Sequence, residues 1–367
     1  MRREGVSVGV LAGWGLLLTT HISRLTLVII AGISLTACGP TSHRQQSYVF
    51  GTLVEVTVYG EAEDKARRVT DQVLRDFDAM HRSLHAWQPS DLEELNGVLA
   101  AARPGAPARA EVAPELAAML KDAARLAELG EGLFNPAIGN LVRLWGFHTD
   151  SFEPRLPDAR AIEDLVRANP RMTDLVIDGS HVTGTNPAVR LDLGGYAKGY
   201  ALDRAAAYLR SQGVKNALVN IGGNILALGS KGGTPWRVGI QHPRRAGALA
   251  TLELKDGEAI GTSGDYQRYF ELEGRRYCHL IDPRSGRPVE HTRALTVIAR
   301  GERAGTLSDV ASKPLFIAGP QDWRRLAARL GIEEVLRIDD TGQVWVTRGL
   351  NDRLSWEKDL PPATLVE

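Results

Sequence analysis

The sequence predicts an α+β fold in which mixed and antiparallel sheets are interleaved with helices. Two observations carry that prediction. Strand-like and helix-like runs alternate without a regular βα period, and the segments LVIDGSHVTG and FELEGRRYCHL each read as two short strands about a turn. No internal repeat of fixed period runs through the 367 residues. At 43% hydrophobic content the chain can bury a large core. Formal net charge is +0 and no basic block stands out, which argues against a nucleic-acid partner.

Taken in order, residues 1–37 read as a signal peptide. Arg2, Arg3 and Arg24 precede an apolar run at 25–35, and small residues lead up to Cys38. A membrane-spanning anchor is the competing reading. Against it, the apolar stretches 8–20 and 25–35 are each short for a span of about 20 residues, and joined they carry His21 and Arg24 into the bilayer. Residues 38–47 read as a polar tether, 48–350 as the folded domain and 351–367 as a C-terminal tail. Within the domain, 48–59 alternates as a strand interrupted at Gly51. Residues 61–87 place Ala66, Val69, Val73, Phe77, Met80 and Leu84 on one helical face. Ser90 and Glu93 suit a capping box for a short helix ending at Asn96-Gly97. A loop at 101–114 leads to a helix at 114–129 stopped by Gly130, with another helix at 158–168. Strands are expected at 173–178, 189–193, 216–221, 236–240, 249–254, 269–272, 276–281 and 294–299. Helices near 303–317 and 320–330 and strands at 334–338 and 343–347 close the chain.

The segment LDLGGYAKGYALD at 191–203 runs from an apolar strand through Gly194 and Gly195 into a helix with Lys198 in its first turn. Backbone N–H groups, a positive helix end and an ammonium then face one point, which suits a phosphate or pyrophosphate. The glycine spacing matches neither a Walker loop nor a dinucleotide fingerprint. A tight turn that needs glycine only for its backbone angles is the plainer alternative. In HLIDPRSG at 279–286, the Asp-Pro and Ser-Gly steps shape a turn. His279 there is either a general base near neutral pH or a turn-stabilising partner of Asp282. Cys278 points to the other strand face and reads as a packed thiol. By itself GLFNPAIGNLVRLWGF reads as a core-lining turn with a Trp plug, VNIGGNILALG as a strand into a glycine pair that lines a ligand or forms a bulge, and IGTSG as a strand end of small polar groups. In SDVASKPLFIAG, Asp309 and Lys313 lie four apart and suit an exposed helical ion pair.

Together FGT at 50–52, WQPSDLEELN, GLFNPAIGNLVRLWGF, LDLGGYAKGYALD, NIGGNILALG, TSGDYQRYF, HLIDPRSGRP and DVASKPLFIAG resemble, in order, the motifs of the ApbE family, the FAD:protein FMN transferases. The resemblance covers about residues 48–347. It implies a T-fold-like α+β architecture, FAD as substrate and a Mg²⁺ ion held by hard oxygen ligands. It also implies transfer of FMN from FAD to a Thr or Ser hydroxyl with release of AMP. The acceptor would be a target flavoprotein subunit of a respiratory or electron-transfer complex. An FAD-binding or storage lipoprotein and an FAD pyrophosphatase are the alternatives. LTAC likewise resembles the lipobox of bacterial lipoproteins. That implies a lipidated Cys38 on the periplasmic side of a bacterial membrane, and Gly39 favours the outer membrane over the inner.

Residue by residue, the resemblance implies Phe50 beside the flavin nucleotide and Trp87 on the adenine. Asn135, Asp192, Lys198, Gly264 and Ile281 would line FAD, and His279 would be the base beside Asp282. The Gly195 carbonyl and Asp309 would hold the metal. One departure stands out: Lys313 occupies the position where many members have a Thr ligand. A protonated lysine has donors and no lone pair, and Pro314 disturbs a helix through the site. The metal then has one ligand fewer, or the ammonium partly replaces it, or FAD is bound without transfer.

Overall fold

Residues 41–103, 105–149, 151–358 and 363–367 are described in a computed structural model; the leader and Cys38 lie outside them. Strands β1 (Ser42–Val49) and β2 (Thr52–Tyr59) form a hairpin whose turn residues, Phe50 and Gly51, have φ of 56° and 68°. Two successive positive φ values make the primed turn that suits strand twist. The expected strand at 48–59 is therefore two strands, and residues 42–47 of the expected tether belong to a sheet. Their polar side chains alternate between exposed and half-buried, so the pairing with valine-rich β2 and the hydrogen bonds of Gln45 to Asp71 and Thr70 order them.

Helices α1 (Glu63–Ser83) and α2 (Asp91–Leu99), strand β3 (Ala108–Glu111) and helices α3 (Pro114–Leu129), α4 (Gly139–Leu144) and α5 (Ala159–Ala168) follow. The hairpin β4 (Leu175–Asp178) and β5 (His181–Gly184) precedes α6 (Ala197–Ser211). Then come β6 (Ala217–Ile221), β7 (Asn224–Leu228), β8 (Trp236–Gln241), β9 (Ala248–Leu254) and β10 (Glu258–Gly264). Two ribbons, β11 (Tyr269–Leu272) with β12 (Arg275–Cys278) and β13 (Ile281–Asp282) with β14 (Arg287–Pro288), lead to β15 (Thr292–Arg300). Helix α7 (Ala304–Arg329), β16 (Glu334–Asp339), β17 (Val344–Thr347), α8 (Arg348–Asn351), β18 (Leu354–Trp356) and β19 (Thr364–Val366) complete the fold.

The main sheet runs β1-β2-β6-β7-β10-β15-β16-β17-β19 and is antiparallel except at its last pair. Both of its faces are covered, which explains the nearly continuous apolar run of β15. Leu295, Val297 and Ala299 pack with α1, α6 and α7 residues such as Val69, Leu202 and Phe316. Ala294 and Ile298 pack on the opposite face with Trp236, Val238 and Leu252 of the small β8-β9-β18 sheet. The α+β expectation and both predicted hairpins hold.

Three expectations change. The segment 351–367 is no tail, since β18 pairs with β9 and β19 with β17. Residues 189–193 form no ladder strand, and α2 runs through Asn96-Gly97 to Leu99. Asn96 bears on both changes, while Arg190 N–H to Ala137 O and Asp192 N–H to Pro136 O hold the other edge of the segment. Buried Asn96 donates its Nδ2 to Leu191 O at 2.9 Å and accepts Leu191 N–H at 2.7 Å, so a side-chain amide stands in for a neighbouring strand. Helix α7 continues through Pro314 and breaks at Gly319, where φ is 82°. Among the described residues no helix is long and apolar enough to cross a membrane.

Candidate functional site

The site is built on the crossing of α6 and α7. Neither helix has a side-chain cap of its own at its N-terminus. Each supplies the other's. Asp309 of α7 accepts the Gly199 N–H at 2.8 Å, in the first turn of α6. Asp203 of α6 accepts the Gly305 and Thr306 N–H groups at 2.7 and 2.8 Å, in the first turn of α7. Carboxylates there complete unpaired donors and meet the positive helix end. The approach requires glycine: a Cβ on Gly199 would lie 2.4 Å from Gly305 O, and one on Gly305 2.6 Å from Gly199 O.

This crossing brings Lys198 and Gly195 beside Asp309 and Lys313. The Lys313 ammonium binds Asp309 Oδ1 and also donates to Asp309 O at 2.8 Å. The pair was expected to be exposed, yet the Asp309 side chain is 0% and that of Lys313 15% accessible. The Lys313 stem passes Gly195, where a Cβ would meet Lys313 Cε and Phe134 Cε2, each at 3.4 Å. Burial lowers the Lys198 pKa, and nearby Lys313 and Arg268 lower it further against the attraction of Asp309.

The β11–β12 ribbon places His279 opposite Arg268. The His279 backbone N–H donates to Arg268 O at 3.0 Å, and its ring Nδ1 lies 3.2 Å from the same carbonyl. A carbonyl only accepts, so Nδ1 carries the proton and Nε2 keeps the lone pair. Burial, then the charges of Arg268, Lys198 and Lys313, push the His279 pKa down to about 3, so the ring is neutral at pH 7. Cys278, on the other face, is buried and its thiol is pushed up to about 12, a packed residue as expected.

Other residues expected at the site sit around this centre. Trp87 lies under the Arg190 guanidinium, 4.7 Å from its ring centroid, and edge-on to His148 at 5.6 Å. Phe147, next to His148, meets the His279 ring at 6.5 Å, so Trp87 joins the same wall. Phe50 sits half-buried at its hairpin turn against Phe77 and His81. Asp192 accepts Gly194 N–H at 2.8 Å and shapes the glycine turn, while its own N–H reaches Pro136 O.

Four expected residues make other contacts. Asn135 donates to Pro170 O and accepts Ala137 N–H, which holds its loop. Gly264 is covered by the Tyr266 ring, whose Cε1 lies 2.3 Å from where a Cβ would be. Ile281 belongs to an aromatic cluster with Trp145, Phe147, Phe270 and Tyr277. Asp282 pairs with Arg284 at 2.8 Å and accepts Arg284 N–H, so its partner in the turn is Arg284 and not His279. Arg268, Arg190, His148, Asn96 and Asp203 went unrecognised in the sequence as functional positions.

The implied Mg²⁺ fares poorly. Among the described residues no group of three or more His, Cys, Asp and Glu side chains is placed to hold an ion. Both Asp309 oxygens already have partners, Lys313 on Oδ1 and Gly199 N–H on Oδ2, so as arranged here Asp309 presents a divalent ion with an ammonium.

Fold and site define an α+β protein in which Lys198, Lys313 and Arg268 gather about a neutral histidine beside a glycine turn. Residues 50–336 match the model of the ApbE family. The chain is 41% identical over 343 residues to the FAD:protein FMN transferase of Rhodobacter capsulatus, covering 93% of this chain and 64% of that relative. The chain thus spans just under two thirds of that relative's length. The crystal structure of the ApbE protein of Thermotoga maritima superposes with a TM-score of 0.76 at 29% identity, over 85% of this chain and 99% of that one. The apo flavinyl transferase ApbE of Pseudomonas stutzeri superposes with a TM-score of 0.72 at 29% identity, over 86% and 97%. The chain belongs to the ApbE family.

Proposed function

We propose that this chain is an FAD:protein FMN transferase, acting on a Thr or Ser hydroxyl of a flavoprotein subunit of a respiratory or electron-transfer complex. One observation carries the reading: a neutral His279, its Nδ1 pinned on Arg268 O, stands among the charges of Lys198, Arg268 and Lys313. The cations suit the FAD pyrophosphate, whose negative charges would offset their depression of the His279 pKa and let Nε2 take the acceptor proton. The acceptor oxygen attacks the phosphorus on the flavin side, its proton passes to Nε2, and the bond to the AMP phosphate breaks with the electron pair leaving on AMP. Positioning and charge neutralisation supply most of the acceleration. Phe50 and Trp87 would hold the two ends of the dinucleotide. The implied Mg²⁺ has no step in this reading. Cys38 would carry the lipid, placing the domain on the periplasmic side, by preference at the outer membrane.

The test is to incubate the mature chain with FAD and a flavoprotein domain of such a complex, then weigh that domain. An FMN adduct supports transfer. AMP with free FMN indicates a pyrophosphatase, and intact FAD in a tight complex indicates a binding protein. His279→Ala is expected to slow transfer by about 10²–10⁴-fold, and transfer at the parent rate across the pH range would remove His279 as the base.

A further inference from the structure

We propose that Lys313 is a built-in counter-ion that takes the place of a divalent cation at the pyrophosphate, so that this chain binds FAD without metal. The inference rests on the FAD reading above. Its first support is the engagement of Asp309, a fully buried carboxylate that holds Gly199 N–H on Oδ2 and the Lys313 ammonium on Oδ1. A cation binding there would have to displace the ammonium and bring two like charges together in a poorly solvated recess.

Charge balance points the same way. Lys198, Lys313 and Arg268 all bear on the His279 ring, and Asp309 and Lys313 both bear on Lys198. These positive groups outnumber the carboxylates beside them, Asp309 and Asp192 of the glycine turn, so the side chains supply counter-charge to the two negative charges of a pyrophosphate diester.

Geometry supplies the last element. An ammonium has three N–H donors. Two of those on Lys313 go to Asp309 Oδ1 and Asp309 O, and the third has no partner among the described residues. The Lys313 stem runs along Gly195, the residue of the glycine turn itself, and so carries the ammonium beside that turn.

Two measurements on the purified chain test this. FAD binding, followed by flavin fluorescence, is titrated in excess EDTA and in Mg²⁺, for the parent and for Lys313→Thr. Mn²⁺ binding is followed by electron paramagnetic resonance with FAD present. The parent is expected to bind FAD equally in both buffers and to add no Mn²⁺ beyond that held by free FAD. Lys313→Thr is expected to bind FAD about tenfold more weakly in EDTA, to recover in Mg²⁺ and to gain one Mn²⁺ site. A parent that loses FAD in EDTA and regains it in Mg²⁺, or that takes up Mn²⁺ stoichiometrically, overturns the proposal while leaving the FAD reading standing. A parent that binds no FAD in either buffer overturns both. The parent's behaviour in EDTA decides the matter even if the variant fails to fold.

Discussion

The α6–α7 crossing and the wall formed by Trp87, His148 and Arg190 border one recess but are made in opposite ways. At the crossing, backbone meets backbone, and each helix end is completed by a carboxylate from the other. At the wall, long side chains lean on one another: the Arg190 guanidinium covers Trp87, donates to Ala86 O at 2.9 Å and pairs with Glu93 at 2.6 Å. The first arrangement admits no added atom, while the second can lose a ring and keep its frame. The crossing, proposed to meet phosphate, is rigid through backbone contact and shared caps, and the wall, proposed to meet a base, through side-chain packing.

That contrast can be broken or sharpened by substitution. The largest effect belongs to Gly199→Val, which drives a side chain into Gly305 O. A stability loss of about 3 kcal/mol is expected in urea unfolding, and an unchanged midpoint would mean that the helices are free to part. Next comes Asn96→Leu, which strips both partners from the buried backbone of Leu191 and should cost about 2 kcal/mol. It should also weaken FAD binding by loosening the segment that leads into the glycine turn. Trp87→Ala should instead leave the unfolding midpoint near the parent's and weaken FAD about tenfold, as loss of one stacking ring does. A collapse of stability there would erase the distinction between wall and crossing.

The last test concerns acid. An exposed histidine titrates near 6.5, while folding holds His279 near 3. The unfolded chain therefore takes up this proton first. The associated stability is present above about 6.5 and is lost as pH falls from there towards 3. His279→Gln should narrow the difference in stability between pH 7 and pH 4, measured by urea unfolding at both. A difference equal to the parent's would place the ring in water.

Much of the frame was legible in the sequence because its signals are local. The glycine in LVIDGSHVTG and FELEGRRYCHL marks a hairpin whatever surrounds it, and Lys198 stands in the first turn of α6 as its motif implied. Strand β1 was hidden because its residues are polar and only β2 gives them a ladder. The spacing of Asp309 and Lys313 foretold their pairing but not its burial, which is imposed by α6, more than a hundred residues earlier in the chain. Arg268 carried no periodic signal, since its relation to His279 exists only once β11 and β12 pair. Asp282 and Asn135 had the right chemistry for a site, but nearer partners occupy them.

The exchange of caps between α6 and α7 bears on how this part of the molecule opens. A helix capped by its own residues can fray one turn at a time. Here the amides of Gly199, Gly305 and Thr306 are bonded to the opposite helix, so none is released until the two separate. Hydrogen exchange at these three amides should therefore share one rate and one denaturant dependence, as members of a single cooperative unit. On the proposed function, a crossing that opens as one unit would leave no half-loosened state in which a bound phosphate meets water.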